Sequence, residues 1–341
     1  MTSSRASNNS APDTLSGQDS VMGSAPPAMG KQPPWAVVLL CHGSQRGTTP
    51  QECSCAWKSG QMGSRGENEN DNETPGWCRN CPSTPQGLQD AAGRLEKELG
   101  PESARVVLSC LEFIQPHPDQ AVRSLVEQGF RQVVLMPYLL GHGKHATLEL
   151  DEVLADLKAQ SPQAQLYLSQ GLGADGRLAD LVVERVQDLN RPNLNQPVTP
   201  AGRPADRDNR PAGVLLVKAG TKTQYDDCQW MKDLGQMVEN RLGPGYAVDV
   251  AQSHYGDPTM DAAAASLVEE REVSSITCVP YLFFPGLILQ RNVLGGLARL
   301  EERYPEIPMA ATPPLGVDDR LVSVAADRIR EVWQNQAGPT K

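Results

Sequence analysis

Two stretches decide how this chain folds: Val37–Ser44, VVLLCHGS, and Val214–Thr221, VLLVKAGT. Each is an aliphatic run that stops abruptly at small residues, the pattern of a strand buried on both faces whose end opens into a loop. They align at an offset of 177 residues, and a second pair, Met136–His145 (MPYLLGHGKH) and Val279–Ile288 (VPYLFFPGLI), aligns at an offset of 143. The chain is therefore an internal repeat whose first copy is longer by the difference, 34 residues. Glu52–Pro85 has that length and reads as an insertion between the first strand and its helix.

Working outward, Val37–Leu40, Val106–Ser109, Val133–Met136 and Leu166–Ser169 predict four parallel strands. Ala121–Gln128 and Leu148–Lys158 carry apolar residues at i, i+3, i+4 spacing and predict crossover helices. The series begins again with Val214–Val217, Ala247–Ala251, Ile276–Val279 and Met309–Thr312. The expected fold is α/β: two Rossmann-like lobes, each a four-stranded parallel sheet flanked by helices, related by a pseudo-twofold repeat. The expected division is a disordered tail over 1–33, an N-terminal lobe over 34–190 with an insertion at about 52–85, a Pro-rich linker over 191–211 and a C-terminal lobe over 212–335.

Composition removes several function classes. The 341 residues hold 41 acidic and 31 basic side chains, a net charge of -10, which disfavours nucleic acid or an anionic membrane as partner. No apolar run approaches the roughly 18 to 20 residues a bilayer span needs, so no membrane segment is expected. The first 33 residues lack the apolar core of a signal peptide, which a periplasmic two-lobed metal binder would require. A weak transit peptide is the lesser reading of that stretch. Cys41, Cys110, Cys228 and Cys278 stand alone in apolar surroundings and are expected to be buried thiols.

In an open α/β sheet the polar crevice lies where strand C-terminal ends meet their loops. His42 ends the first strand beside Gly43 and Ser44, Glu112 ends the second, and His145 follows the third, where Gly141 and Gly143 leave room for a flat ligand. Two imidazoles and a carboxylate suit a divalent first-row metal and leave coordination positions open. Imidazole also accepts protons near neutral pH. By the repeat offsets His42 faces Ala219 and His145 faces Ile288, and Glu112 faces His254 when Pro116 is set against Pro258, an offset of 142, so one half keeps the trio and the other has lost it. His254 reads as a structural loop residue, with a ligand reaching across the cleft as the alternative.

These motifs resemble the long, two-domain form of the CbiX-type sirohydrochlorin chelatases, from about Trp35 to Trp333. In that family an HGS motif follows the first strand, a Glu and a Pro the second, and G-x-H the third. Here they stand as His42-Gly43-Ser44, Glu112 with Pro116, and Gly143-Lys144-His145. The resemblance implies two chelatase lobes and a cytoplasmic lyase of cobalamin or siroheme biosynthesis that inserts Co²⁺ or Fe²⁺ into sirohydrochlorin without ATP. It implies that His42 and His145 bind the metal and help remove pyrrole protons, with Glu112 as ligand or proton acceptor. His142 has no counterpart in the pattern. A non-catalytic tetrapyrrole or metal carrier using the same residues is the alternative.

The substrate's many carboxylates need local cations, and Arg46, Lys144, Lys218, Lys222 and Arg291 lie near predicted strand ends, although each alone reads as a solvated surface charge. In the insertion, Cys53, Cys55, Cys78 and Cys81 form two close pairs that could hold Zn²⁺ or an iron–sulfur cluster, ahead of free thiols or disulfides. The resemblance tips this toward the cluster, since some family members carry one on cysteines placed elsewhere. Two fused halves already supply a cleft, so a monomer is expected.

Overall fold

The computed structural model describes residues 35–43, 85–100, 104–112, 116–141, 144–190, 210–220 and 228–336, excluding the side chains of 85, 86, 104, 144–148 and 190. The tail, the insertion through residue 84 with its four cysteines, and the linker through residue 209 lie outside the described residues.

Among the described residues, eight strands form two all-parallel sheets. The first orders β1 (Trp35–Cys41), β2 (Ala104–Cys110), β3 (Gln132–Pro137) and β4 (Gln165–Leu168) as β2-β1-β3-β4. The second orders β5 (Ala212–Lys218), β6 (Tyr246–Gln252), β7 (Ile276–Tyr281) and β8 (Met309–Ala311) as β6-β5-β7-β8. All eight lie where the aliphatic runs predict them. The helices are α1 (Pro85–Leu99), α2 (Pro118–Glu127), α3 (Lys144–Gln160), α4 (Gly176–Asn190), α5 (Gln229–Leu242), α6 (Met260–Ala265), α7 (Gly295–Arg303) and α8 (Asp319–Gln336). A π-helical turn, Ser266–Glu270, extends α6, and another, Ile288–Leu294, leads into α7.

Both faces of each sheet are covered, which is why the strands are apolar at successive positions rather than alternate ones. Along β1, Ala36, Val38 and Leu40 pack with Ala121, Val122 and Leu125 of α2 and Leu150 and Leu157 of α3. Val37, Leu39 and Cys41 turn the other way, into a core that also takes Val214 and Leu216 of β5. That second core is shared by both halves and filled by α1, α4, α5 and α8. The outer face of the second sheet is closed by α6, α7 and the turn before it.

The helices of the shared core are exchanged. α4 ends the first half yet packs on α5 and β7 of the second, while α8 ends the second half and packs on α1 and β3 of the first. Each half thus lends its last helix to the other. Ion pairs lie along the same seam: Arg177 with Asp327 at 2.7 Å, Arg241 with Asp180 at 2.6 Å, and Arg320 with Glu184 at 2.9 Å. These groups are a fifth to a half exposed, so each pair contributes at most about 1 kcal/mol and the apolar contact dominates.

Exchange makes the two halves one cooperative unit. Leu181→Ala, at a fully buried position of α4 in the shared core, is expected to cost about 3 kcal/mol and to shift a single urea transition without splitting it. A two-step transition, with one half melting ahead of the other, would contradict the arrangement.

Candidate active site

His42 and Glu112 fall at the C-terminal ends of neighbouring strands of the first sheet, and the backbone of His145 lies in the first turn of the helix that follows the third. β1 and β2 pair in register from Trp35 with Ala104 to Cys41 with Cys110. The ladder continues past both strands, because Leu111 N–H donates to Cys41 O at 2.8 Å and Glu112 N–H to His42 O at 3.0 Å. His42 and Glu112 are therefore placed side by side by backbone bonds. The fit is close: Gly43, at φ +92°, lies over the Glu112 carbonyl, and a Cβ there would fall inside that oxygen. His42 is exposed, its Nδ1 3.1 Å from its neighbour's carbonyl oxygen on Gly43.

β3 flanks β1 on its other side, and Tyr138 N–H donates to Leu40 O at 2.8 Å. α3 then starts at Lys144, so the backbone of His145 stands in its first turn, above the same edge. The side chain of His145 and the whole of His142 and Gly143 lie outside the described residues. Among the described side chains, no three of His, Cys, Asp and Glu stand close enough to hold a metal ion.

The thiols beneath are not ligand candidates in this state. Cys41, Cys110, Cys228 and Cys278 are free and buried, as expected. Burial pushes the Cys41 thiol well up, that of Cys110 up and that of Cys278 to about 12, so all three stay protonated at neutral pH.

The second half repeats the geometry without the chemistry. Ser253 N–H donates to Lys218 O at 2.9 Å, and a Cβ on Gly220 would fall inside the His254 carbonyl oxygen. Gly220 and His254 thus stand where Gly43 and Glu112 stand in the first half, with Ala219 in place of His42. His254 Nδ1 lies 2.8 Å from Ser253 Oγ, and burial lowers its pKa, which favours the neutral ring.

Two sequence readings change here. The space beside Gly141 is filled by the Trp230 indole, 2.8 Å from where a Cβ would be, so that glycine admits a side chain of the other half and not a ligand. Lys218 is buried at 6% exposure at the end of β5 and is no solvated surface charge. Arg46 and Lys222 lie outside the described residues, as does the Lys144 side chain. The sequence reading also passed over His117, whose Nδ1 lies 3.1 Å from Cys110 O, consistent with N–H donation, and whose backbone N–H donates to Gln120 Oε1 at 3.0 Å. A His just before a Pro-initiated helix was its only signal. Its bonds make it a brace for the β2 end.

The fold is a two-lobed, all-parallel α/β protein in which His42, Glu112 and the backbone of His145 stand at one edge of the first sheet. The CbiX family model matches residues 81–189 and 213–332, one segment in each half, and the chain belongs to the CbiX family. Glu112 and His145 lie within the first segment, and His42 precedes it. A sirohydrochlorin ferrochelatase of Priestia megaterium is 23% identical over 227 residues, 66% of this chain and 77% of the relative. A sirohydrochlorin cobaltochelatase of Methanocaldococcus jannaschii is 24% identical over 104 residues, 24% of this chain and 73% of the relative. The solved structure of SirB from Bacillus subtilis with Fe³⁺ shares the fold at a TM-score of 0.60 and 17% identity, covering 89% of this chain and 98% of that one.

Gly43 tests the joint. Gly43→Ala is expected to lose about 1 to 3 kcal/mol in urea unfolding, because a Cβ must move the Glu112 carbonyl and the residue must keep a positive φ. Unchanged stability would show that the ladder does not extend to Glu112.

Proposed function

We propose that the chain is a sirohydrochlorin chelatase that inserts Co²⁺ or Fe²⁺ into the macrocycle without ATP, as a monomer, with His42, His145 and Glu112 as its working residues. One observation carries the reading. Backbone bonds join His42 to Glu112 on adjacent strand ends, and His145 begins the helix after the third, in a member of a family whose relatives include ferro- and cobaltochelatases.

The chemistry needs a site that holds a metal loosely and accepts protons. Neutral imidazole binds a divalent first-row ion, and three protein ligands leave positions through which macrocycle nitrogens replace solvent. As the ion enters, two pyrrole N–H protons leave, so the macrocycle exchanges two protons for one dication. His42 and His145, freed of metal as it transfers, take up those protons, and Glu112 on the same edge relays them to solvent. Formation of four metal–nitrogen bonds drives the exchange, and no nucleotide is required. The ligand set suits Co²⁺ and Fe²⁺ alike, because their affinities follow the ion more than the donors.

Mixing substoichiometric protein with sirohydrochlorin and Co²⁺ or Fe²⁺ is expected to give many turnovers in the visible spectrum. The His42→Ala/His145→Ala double variant is expected to fall by about 100-fold or more. A spectral change that stops at one equivalent of protein would instead indicate a carrier, and a double variant at full speed would refute the site.

A further inference from the structure

A cavity of about 570 Å³ lies between α1, α4 and the loop from β8 to α8, lined by Gly87, Arg94, Arg185, Leu315, Val317 and Asp318 among others. It is large enough for a pyrrole ring with its side chains. The internal repeat shows why it is there. Glu96 accepts from Val106 N–H at 2.9 Å and Glu239 from Val248 N–H at 2.7 Å, which sets α1 on α5 at the 143-residue offset. The following loops match at the same offset: Leu172 and Leu315 are both fully buried, and Gly173 and Gly316 both have positive φ. The forks Arg177–Asp175 and Arg320–Asp318 also coincide. On this alignment Gly87 takes the place of Trp230 and Arg94 that of Met237. In the second half Trp230 packs at 5.9 Å from the Tyr281 ring and against Gly141. The first half has a glycine and a guanidinium where the second has an aromatic plug and a thioether, and a recess walled by two arginines and two aspartates lies in the half that keeps His42, Glu112 and His145.

The charges in the recess are unequally answered. Asp318 is bound closely by Arg320 at 2.7 Å and also interacts at longer range with Arg185, and Arg94 is held by Asp319 and the Val317 carbonyl. Arg185 donates to Leu315 O at 3.0 Å and has a buried Nε without a hydrogen-bond partner. Its nearest carboxylate, Glu184 at 3.8 Å, is bound more closely by Arg320 at 2.9 Å. Arg328, the equivalent of Arg185, shares the orphan Nε, but its charge is met by Glu331 at 3.1 Å and Asp175 at 3.9 Å. Asp90, also on the wall, keeps the recess from suiting a polyanion. One carboxylate on an apolar stem fits best, with Leu315, Val317 and Gly87 around the stem.

The recess adjoins the strand end of the candidate site. Tyr138, whose N–H binds Leu40 O, is buried, stacks on Phe283 at 5.2 Å, and has a hydroxyl with no partner. Burial holds that phenol above its usual range, with Cys41, Asp318 and Asp319 adding and Arg94 opposing, so it feels both the charges of the recess wall and the residue before His42.

We infer that this recess receives one carboxylate-bearing pyrrole edge of the tetrapyrrole, with Arg185 as its cation and Gly87 as the residue that opens it. The inference rests on the chelatase reading and names two positioning residues for that substrate. Metal-free sirohydrochlorin and its methyl esters are titrated into full-length protein, following absorbance. Gly87→Trp, which installs the second half's plug, and Arg185→Gln are expected to weaken binding of the acid about tenfold or more in variants shown by their melting to be folded. Arg185→Gln is expected to leave binding of the ester unchanged. Should Gly87→Trp fail to fold, Gly87→Leu takes its place. Wild-type affinity in the variants, or an equal loss on acid and ester in Arg185→Gln, overturns the inference alone. A wild-type protein that neither binds nor metallates sirohydrochlorin takes the chelatase reading down with it.

Discussion

The candidate site depends on a ladder that does not stop where its strands do. Two backbone hydrogen bonds beyond the last paired residues carry β1 and β2 into the loops and fix His42 against Glu112 at the spacing of neighbouring strands. Such bonds contribute modestly one by one, about 1 kcal/mol, but they set position with little freedom left to the backbone. Gly43 is the residue that permits it, since any Cβ would meet the carbonyl being positioned. The candidate site is thereby attached to an inner strand of a sheet buried on both faces.

The repeat explains why a single edge carries the chemistry. Both halves keep the extended ladder and the glycine, so the geometry belongs to the framework and the ligands are additions to it. The exchange of α4 and α8 binds the halves through one apolar core, and neither half can shift without disturbing the other's sheet. A framework so constrained tolerates loss of ligands in one copy, because its stability rests on residues such as Leu39, Leu216 and Leu181 and not on the edge.

The fold was largely legible because buried parallel strands are written as continuous aliphatic runs, and all eight lie where Val37–Leu40 and its counterparts place them. The offsets that paired His42 with Ala219 and Glu112 with His254 needed nothing beyond the chain itself. Helix exchange was not legible, since an apolar stripe on α4 says that it packs and not on which sheet. Gly141 was misread for a related reason: a glycine signals close approach but not by what, and the answer, Trp230, lies 89 residues away. Lys218 looked like surface because a lysine at a strand end usually is. The recess at Gly87 escaped because it is made by a missing side chain, visible only once α1 is laid on α5.

The most direct test is X-ray absorption at the cobalt edge on the full-length protein loaded with one equivalent of Co²⁺. The account predicts two imidazole nitrogens at about 2.0 to 2.2 Å in the first shell, with one lost in His42→Ala and the other in His145→Ala. A shell without imidazole, or one that neither substitution changes, would contradict it.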